Sequence, residues 1–238
     1  MKVVLIGTGS MRNEHNSASF LIDDDILIDM PNGMCKYLYK AGIIPYDINH
    51  VLITHFHGDH YFDIPFYLLD KSRNPKKKTK IYLSKDGIKK CKTLLKLAFK
   101  GPSKDILNEV KPEFIIKDKF KVNSYRVEKV LVDHGRQKPC YGYIFETGKT
   151  KVGFTGDTTL CENLKYMCSV CNYIFLDCMF IKGNDKHMGI DLFQELIKEY
   201  PKVKYFPVHM ENETREKLKE LKLPNVFVCS DYNEVTIK

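Results

Sequence analysis

No apolar run in this chain approaches the roughly 20 residues of a membrane-spanning helix, so a membrane partner is not expected. No internal repeat, low-complexity tract or Gly/Ser linker interrupts it, and 238 residues are long for one domain and short for two. A single domain over 1–238 is the expectation. No charged leader opens it: "MKVVLIGTGS" reads as a first strand meeting a glycine turn, which points to the cytoplasm. No second Cys-x-x-Cys accompanies Cys168 and Cys171, so the eight cysteines read as packed thiols in a reducing compartment, not as a disulfide framework. No arginine-rich or aromatic-interleaved stretch offers a stacking surface for single strands.

What is present begins with charge. A net +8 suits an anionic partner, although the lysine run at 76–80 reads as a solvated loop. The first half is strand-rich: "VVLIG", "SASFLI" and "ILIDM", with Asp23, Asp24 and Asp25 as a hairpin turn. A short helix over 33–41 and the buried strand "VLIT" follow. A helix is predicted over 61–70, with Pro65 tolerable only in its first turn. "KIYLS" reads as a strand and 86–99 as an amphipathic helix. Further strands are expected at "FIIK", "KVNSYRVEKVLVD", "CYGYIFE", "KVGFTGD", "YIFLDCM", "YFPVHM" and "VFVCS", with helices at 160–168, 190–200 and 213–221. Two sheets with helices outside satisfy that pattern.

The densest chemistry is "HFHGDH", residues 55–60, placed directly after an apolar strand. In extended backbone His55 and His57 point the same way and can share an ion, and Gly58 allows a reversal that turns Asp59 and His60 elsewhere. His134, Asp157 and His209 each stand at or just past the end of an apolar strand. Strand ends on one edge of a sheet are where α/β folds commonly place their sites. Neutral imidazoles and carboxylates are the ligand set for Zn²⁺, with Mn²⁺ or Fe as alternatives.

These residues resemble the metallo-β-lactamase superfamily: "THFHGDH" is similar to its defining motif, and His134, Asp157 and His209 follow in the order of its later metal motifs. The resemblance runs from residue 5 to about 210 and implies a four-layer αββα sandwich binding two divalent ions. It implies His55, His57 and His134 on one ion, Asp59, His60 and His209 on the other, and Asp157 bridging.

Within the superfamily the chain looks like the ribonuclease Z branch, through "GTGS", "ILIDM", "HGDHYFDIPFYLL", "CYGYIFE" and "TGDTTLCENL". That likeness implies a phosphodiesterase acting on RNA or a small phosphodiester. It makes His187 a phosphoryl-binding or proton-donating residue, Asp177 its partner, and Asp59 a residue that orients the attacking water.

One departure is large. Transfer-RNA-processing members carry a long arm between the "GYIF" and "GDT" segments, where this chain has only "ETGKTKVGFT". The "DMPNG" segment also departs from that branch. The alternatives are a metal-dependent thioester or lactone hydrolase and a non-catalytic, metal-bound nucleic-acid binder. A homodimer is compatible with everything above.

Overall fold

The computed structural model describes residues 1–75 and 78–238. Lys76 and Lys77, the start of the lysine run, lie outside the described residues; Lys78 is exposed, as a solvated loop requires. The chain divides into two compact units, residues 1–6, 19–116 and 232–237 against 7–18, 117–231 and 238.

The first unit is built on one seven-stranded sheet. It contains β1 (Lys2–Gly7), β2 (Ser19–Ile22), β3 (Ile26–Ile28), β4 (His50–Leu52), β5 (Lys80–Tyr82), β6 (Glu113–Ile115) and, from the end of the chain, β13 (Glu234–Thr236). The order is β13-β1-β2-β3-β4-β5-β6. β2 and β3 form the expected hairpin, and Asp23 and Asp24 hold it with φ of 46° and 58°, the positive values a tight I′-type turn demands. The three acids therefore serve a turn.

From β3 to β6 the pairing is parallel, so each connection must cross over. α1 (Met34–Lys40), α2 (Gly58–Tyr61) with α3 (Ile64–Ser72), and α4 (Gly87–Ala98) with α5 (Ser103–Val110) make those crossings. The core beneath them is aliphatic, from Leu21 and Leu27 to Val51, Ile81 and Leu95.

The helix expected over 61–70 is two helices. Pro65 lies in the first turn of α3, and the break before it falls at Phe62 and Asp63. Asp63 gains a use there: its carboxylate accepts the Gly33 and Cys35 amides at 3.0 and 2.7 Å, satisfying donors the start of α1 leaves open. Lys71, fully buried on α3, donates to the Tyr46 and Ile48 carbonyls and to Asn49 Oδ1 at 3.0, 2.8 and 3.0 Å. A buried ammonium persists only with such partners.

The second unit carries β7 (Lys119–Val122), β8 (Tyr125–His134), β9 (Gln137–Thr147), β10 (Thr150–Phe154), β11 (Tyr173–Asp177) and β12 (Lys204–Val208), in the order β12-β11-β10-β9-β8-β7. β7 to β10 are antiparallel and β10 to β12 parallel. α6 (Glu162–Val170) and α7 (Ile190–Glu199) make the crossovers, and α8 (Asn212–Leu221) follows β12. Pro207 sits in β12, the edge strand, where a missing N–H is tolerated.

β9 and β10 pair from Thr147 to Thr150, leaving only Gly148 and Lys149 as the turn, with Gly148 at φ 59°. Cys168 and Cys171 are buried in the core of this unit, and burial pushes both thiols up to about 12.

Three expectations need correcting. The long strand over "KVNSYRVEKVLVD" is a hairpin, β7 and β8, turning at Asn123 with φ 51°. "VFVCS" is not a strand; it contributes one isolated bridge, Tyr205 to Val226. The terminal strand is instead β13, whose polar Glu234 and Thr236 gave no apolar signal.

Candidate metal centre

In the first unit the chain leaves β4 in extended form through Ile53 and Thr54, then turns into α2 at Gly58. His55 and His60 end up buried and His57 exposed. His55 Nε2 and His57 Nδ1 converge to 3.1 Å. At that separation one nitrogen must donate to the other, or both lone pairs must face one cation. His55 Nδ1 meets the Thr54 hydroxyl at 3.1 Å, which leaves Nε2 as the outward nitrogen.

His60 is oriented by a residue whose role the sequence did not disclose. Asp29 Oδ2 lies 2.7 Å from His60 Nδ1, and the same carboxylate accepts the Thr54 amide and hydroxyl at 2.8 and 2.7 Å. Burial pushes the Asp29 carboxyl up, while His60 and the Thr54 donors pull it down. A carboxylate behind an imidazole fixes its tautomer and raises its basicity, the usual support for a metal-ligating histidine. His60 Nε2 then faces Asp59 Oδ2 at 3.8 Å. The available signal was "ILIDM": an aspartate at the end of an apolar strand, here at φ 60°.

In the second unit, three adjacent strands deliver Asp157, Asp177 and His209, and β8 ends at His134. β11 ends at Asp177, paired with Val208 of β12, so His209 emerges one step beyond it. Asp157 follows β10 by three residues. The His134 Nδ1–H donates to the Lys186 carbonyl at 2.8 Å, so Nε2 carries the lone pair. That nitrogen and His209 Nε2 lie 3.8 and 3.5 Å from the same oxygen, Asp157 Oδ2. One carboxylate oxygen between two imidazole nitrogens is the arrangement expected of a bridging ligand.

Asp177 works on the other side. Its Oδ2 lies 2.8 Å from His187 Nδ1 and accepts the Thr158 amide at 3.0 Å; its Oδ1 stands 3.9 Å from His209 Nδ1. The His187 ring stacks on His209 with centroids 5.2 Å apart and meets His134 edge-on at 4.7 Å. Burial works to lower the His187 pKa, and the Asp177 charge and hydrogen bond overcome it, so the net displacement is upward. Burial lowers His134 against the pull of Asp157.

Asp157, Asp177, His187 and His209 together offer ligand atoms all within 4.8 Å of one another. Every site residue expected from the sequence thus falls into one of two clusters. His55, His57, Asp59 and His60 gather in the first unit; His134, Asp157, Asp177, His187 and His209 gather in the second. The donor set, imidazole nitrogen and carboxylate oxygen with oriented tautomers, fits a borderline divalent cation such as Zn²⁺.

The chain is similar in sequence and in fold to known proteins. The chain is 32% identical to ribonuclease Z of Pyrococcus abyssi over 155 residues, 61% of this chain and 48% of that protein. It therefore spans about half the length of the curated relatives it matches. Among solved structures, the metallo-β-lactamase fold protein YhfI from Bacillus subtilis superposes with a TM-score of 0.78 at 16% identity, covering 99% of both chains. A diphosphatase of the PhnP family gives 0.74 at 17% identity over 100% of this chain and 98% of its own. The fold is that of the metallo-β-lactamases. Residues 1–224 match the family described as "Anti-Pycsar protein Apyc1".

Proposed function

The chain belongs to the Anti-Pycsar protein Apyc1 family, and from that premise we propose that it is a metal-dependent phosphodiesterase acting on a small phosphodiester. Both units belong to one hydrolase domain in this reading, with two divalent ions held as the superfamily resemblance implies. His55, His57 and His134 would hold one ion and Asp59, His60 and His209 the other, with Asp157 shared. When bound, such ions supply positive charge that lowers the pKa of water and stabilises charge developing on phosphoryl oxygen. The observation that carries the proposal is Asp157 Oδ2 standing between His134 Nε2 and His209 Nε2.

The protein's own residues do the rest. Asp177 holds the Nδ1–H of His187, which presents Nε2 as the atom that binds the phosphoryl group or gives a proton to the leaving alkoxide. Asp59, half-buried beside His60, would orient the attacking water. The net charge of +8 draws in an anion.

Substrate size is argued from the β9–β10 turn. Where transfer-RNA-processing relatives carry an RNA-gripping arm, two residues, Gly148 and Lys149, close the hairpin. A nucleotide-sized phosphodiester needs no such grip. The ribonuclease Z and diphosphatase likenesses support the phosphodiester class itself.

The test is turnover of bis(p-nitrophenyl) phosphate by protein loaded with Zn²⁺ or Mn²⁺, followed by cyclic nucleotides and a transfer-RNA precursor, with Asp157→Ala as control. Cleavage of the small esters and not of the precursor is expected. Preference for the precursor would overturn the size argument. Two bound ions without phosphodiester cleavage would transfer the reading to thioesters or lactones.

A further inference from the structure

His209 is the only proposed metal ligand among the described residues with φ in the left-handed region, at 57°. A side chain with a β-carbon rarely rests there without being held. The holding is visible on its neighbour. The Met210 amide donates to the Thr8 carbonyl at 3.3 Å, and the Met210 carbonyl accepts from the Ser10 amide at 3.2 Å. The Asn13 side chain adds its Nδ2 donor to that carbonyl at 2.7 Å. The orientation of Asn13 is fixed, because its Oδ1 accepts the His15 amide at 3.0 Å, leaving Nδ2 as the donor. Gly9 gives the room: a β-carbon there would lie 2.4 Å from Asn13 Oδ1.

A buried charged network, not used by the chemistry above, anchors this loop. Arg215, 3% exposed, donates through its Nη atoms to Thr8 Oγ1 at 2.7 Å and to the Cys229 carbonyl at 2.6 Å. The Thr8 amide and hydroxyl both donate to Asp231 Oδ1, at 2.9 and 2.7 Å, and Asp231 Oδ2 takes the Asn16 amide at 2.8 Å. Arg215 lies in the first turn of α8, and its amide bonds the Glu211 carbonyl, two residues beyond His209. The segment 209–211 is thus gripped from both sides by one polar network, all of it within the second unit.

We propose that Asn13 and Thr8, braced by the Arg215–Asp231 network, are positioning residues that hold His209 in its left-handed conformation and so set the affinity of the one ion His209 serves. This rests on the metal-centre reading above. Residues that orient a ligand commonly carry about 10- to 100-fold in metal affinity. Asn13 is half-buried, so it can be changed without opening the core.

The experiment is zinc titration against a chromophoric chelator for the wild type, Asn13→Ala and Asn13→Asp, with the melting temperature of each metal-free protein. Asn13→Asp keeps the size of the side chain and the acceptor for His15, and replaces the donor facing Met210 with an oxygen. The expected result is one site unchanged and the other weakened about 10- to 100-fold in both variants, with metal-free melting temperatures lower by no more than about 2–4 °C, the cost of one hydrogen bond. Two unchanged sites in both variants would overturn the proposal. Equal weakening of both sites together with a lowered melting temperature would overturn it too, by assigning the loop a general structural role. A wild type that binds neither Zn²⁺ nor Mn²⁺ would remove the underlying reading of the site, an outcome separate from any variant's behaviour.

Discussion

The Nδ1 of His187 and the Oδ2 of Asp177 are 2.8 Å apart, and that single pair fixes which nitrogen of His187 is left to meet a substrate. The pairing joins a residue after β11's end to one on β11, so the imidazole is held by the sheet and not by its own loop alone.

Removing this pair should be felt most by poor leaving groups. For His187→Ala, kcat is expected to fall about 10²- to 10⁴-fold on alkyl phosphodiesters, the range of a general acid. The loss should be far smaller on p-nitrophenyl esters, whose leaving group needs no proton. Equal losses on both substrates would assign His187 to phosphoryl binding instead.

Asp177→Asn keeps an acceptor near His187 and deletes the charge. Because Asp177 raises the His187 pKa, its neutral replacement should lower it, and the protonated fraction should disappear at a lower pH. The alkaline limb of the kcat profile on alkyl esters is expected to move toward acid. An unmoved limb would mean that another group titrates there.

Asp157→Ala takes away the oxygen that His134 and His209 both face. Metal content measured by mass spectrometry should drop below two per chain, and phosphodiester turnover should fall to background. Prolonged dialysis of the wild type against a chelator should do the same, with recovery on adding Zn²⁺ or Mn²⁺. Full turnover by the mutant would end the dinuclear scheme.

Asp29→Ala removes the support of His60 and strands the Thr54 amide. Affinity for one ion should fall about 10- to 100-fold. The metal-free protein should lose about 1–3 kcal/mol in urea unfolding, the cost of a buried donor left unmet. Asp29→Asn, which still offers an acceptor and tolerates the left-handed backbone, should lose less stability.

Lys71→Met tests the buried ammonium. The Tyr46 carbonyl and Asn49 Oδ1 lose their Nζ donor, while the Ile48 carbonyl keeps the Tyr67 hydroxyl at 2.9 Å, and about 1–3 kcal/mol is expected for an acceptor left without one. Urea unfolding reads the loss directly. Since Lys71 lies outside both clusters, metal content should stay as in the wild type.

The clustered histidines and aspartates stand out in the sequence because they are dense or lie at strand ends: "HFHGDH" is hard to explain as chance, and His134, Asp157 and His209 all follow apolar runs. Asp29 was missed because a lone aspartate after "ILI" looks like any strand end; its meaning lies in a contact 31 residues away. Pro65 correctly limited where a helix could start, yet only the Asp63 contacts to α1 explain why the chain breaks at 62–63. "VFVCS" is a short apolar run like that of a buried strand, yet among the described residues it pairs through one isolated bridge, whereas β13, polar in sequence, finds β1. Pairing partners decide strands, and single-sequence periodicity does not contain them.

The register of β10, β11 and β12 carries one more consequence. Asp157, Asp177 and His209 reach a common level only when three parallel strands, separated in sequence by α6 and α7, have all locked into place. A slip of one residue in any strand would turn its terminal side chain to the other face. Capture of an ion by this cluster therefore requires all three strands in register. The rate at which a zinc indicator is depleted during refolding would time the completion of the sheet.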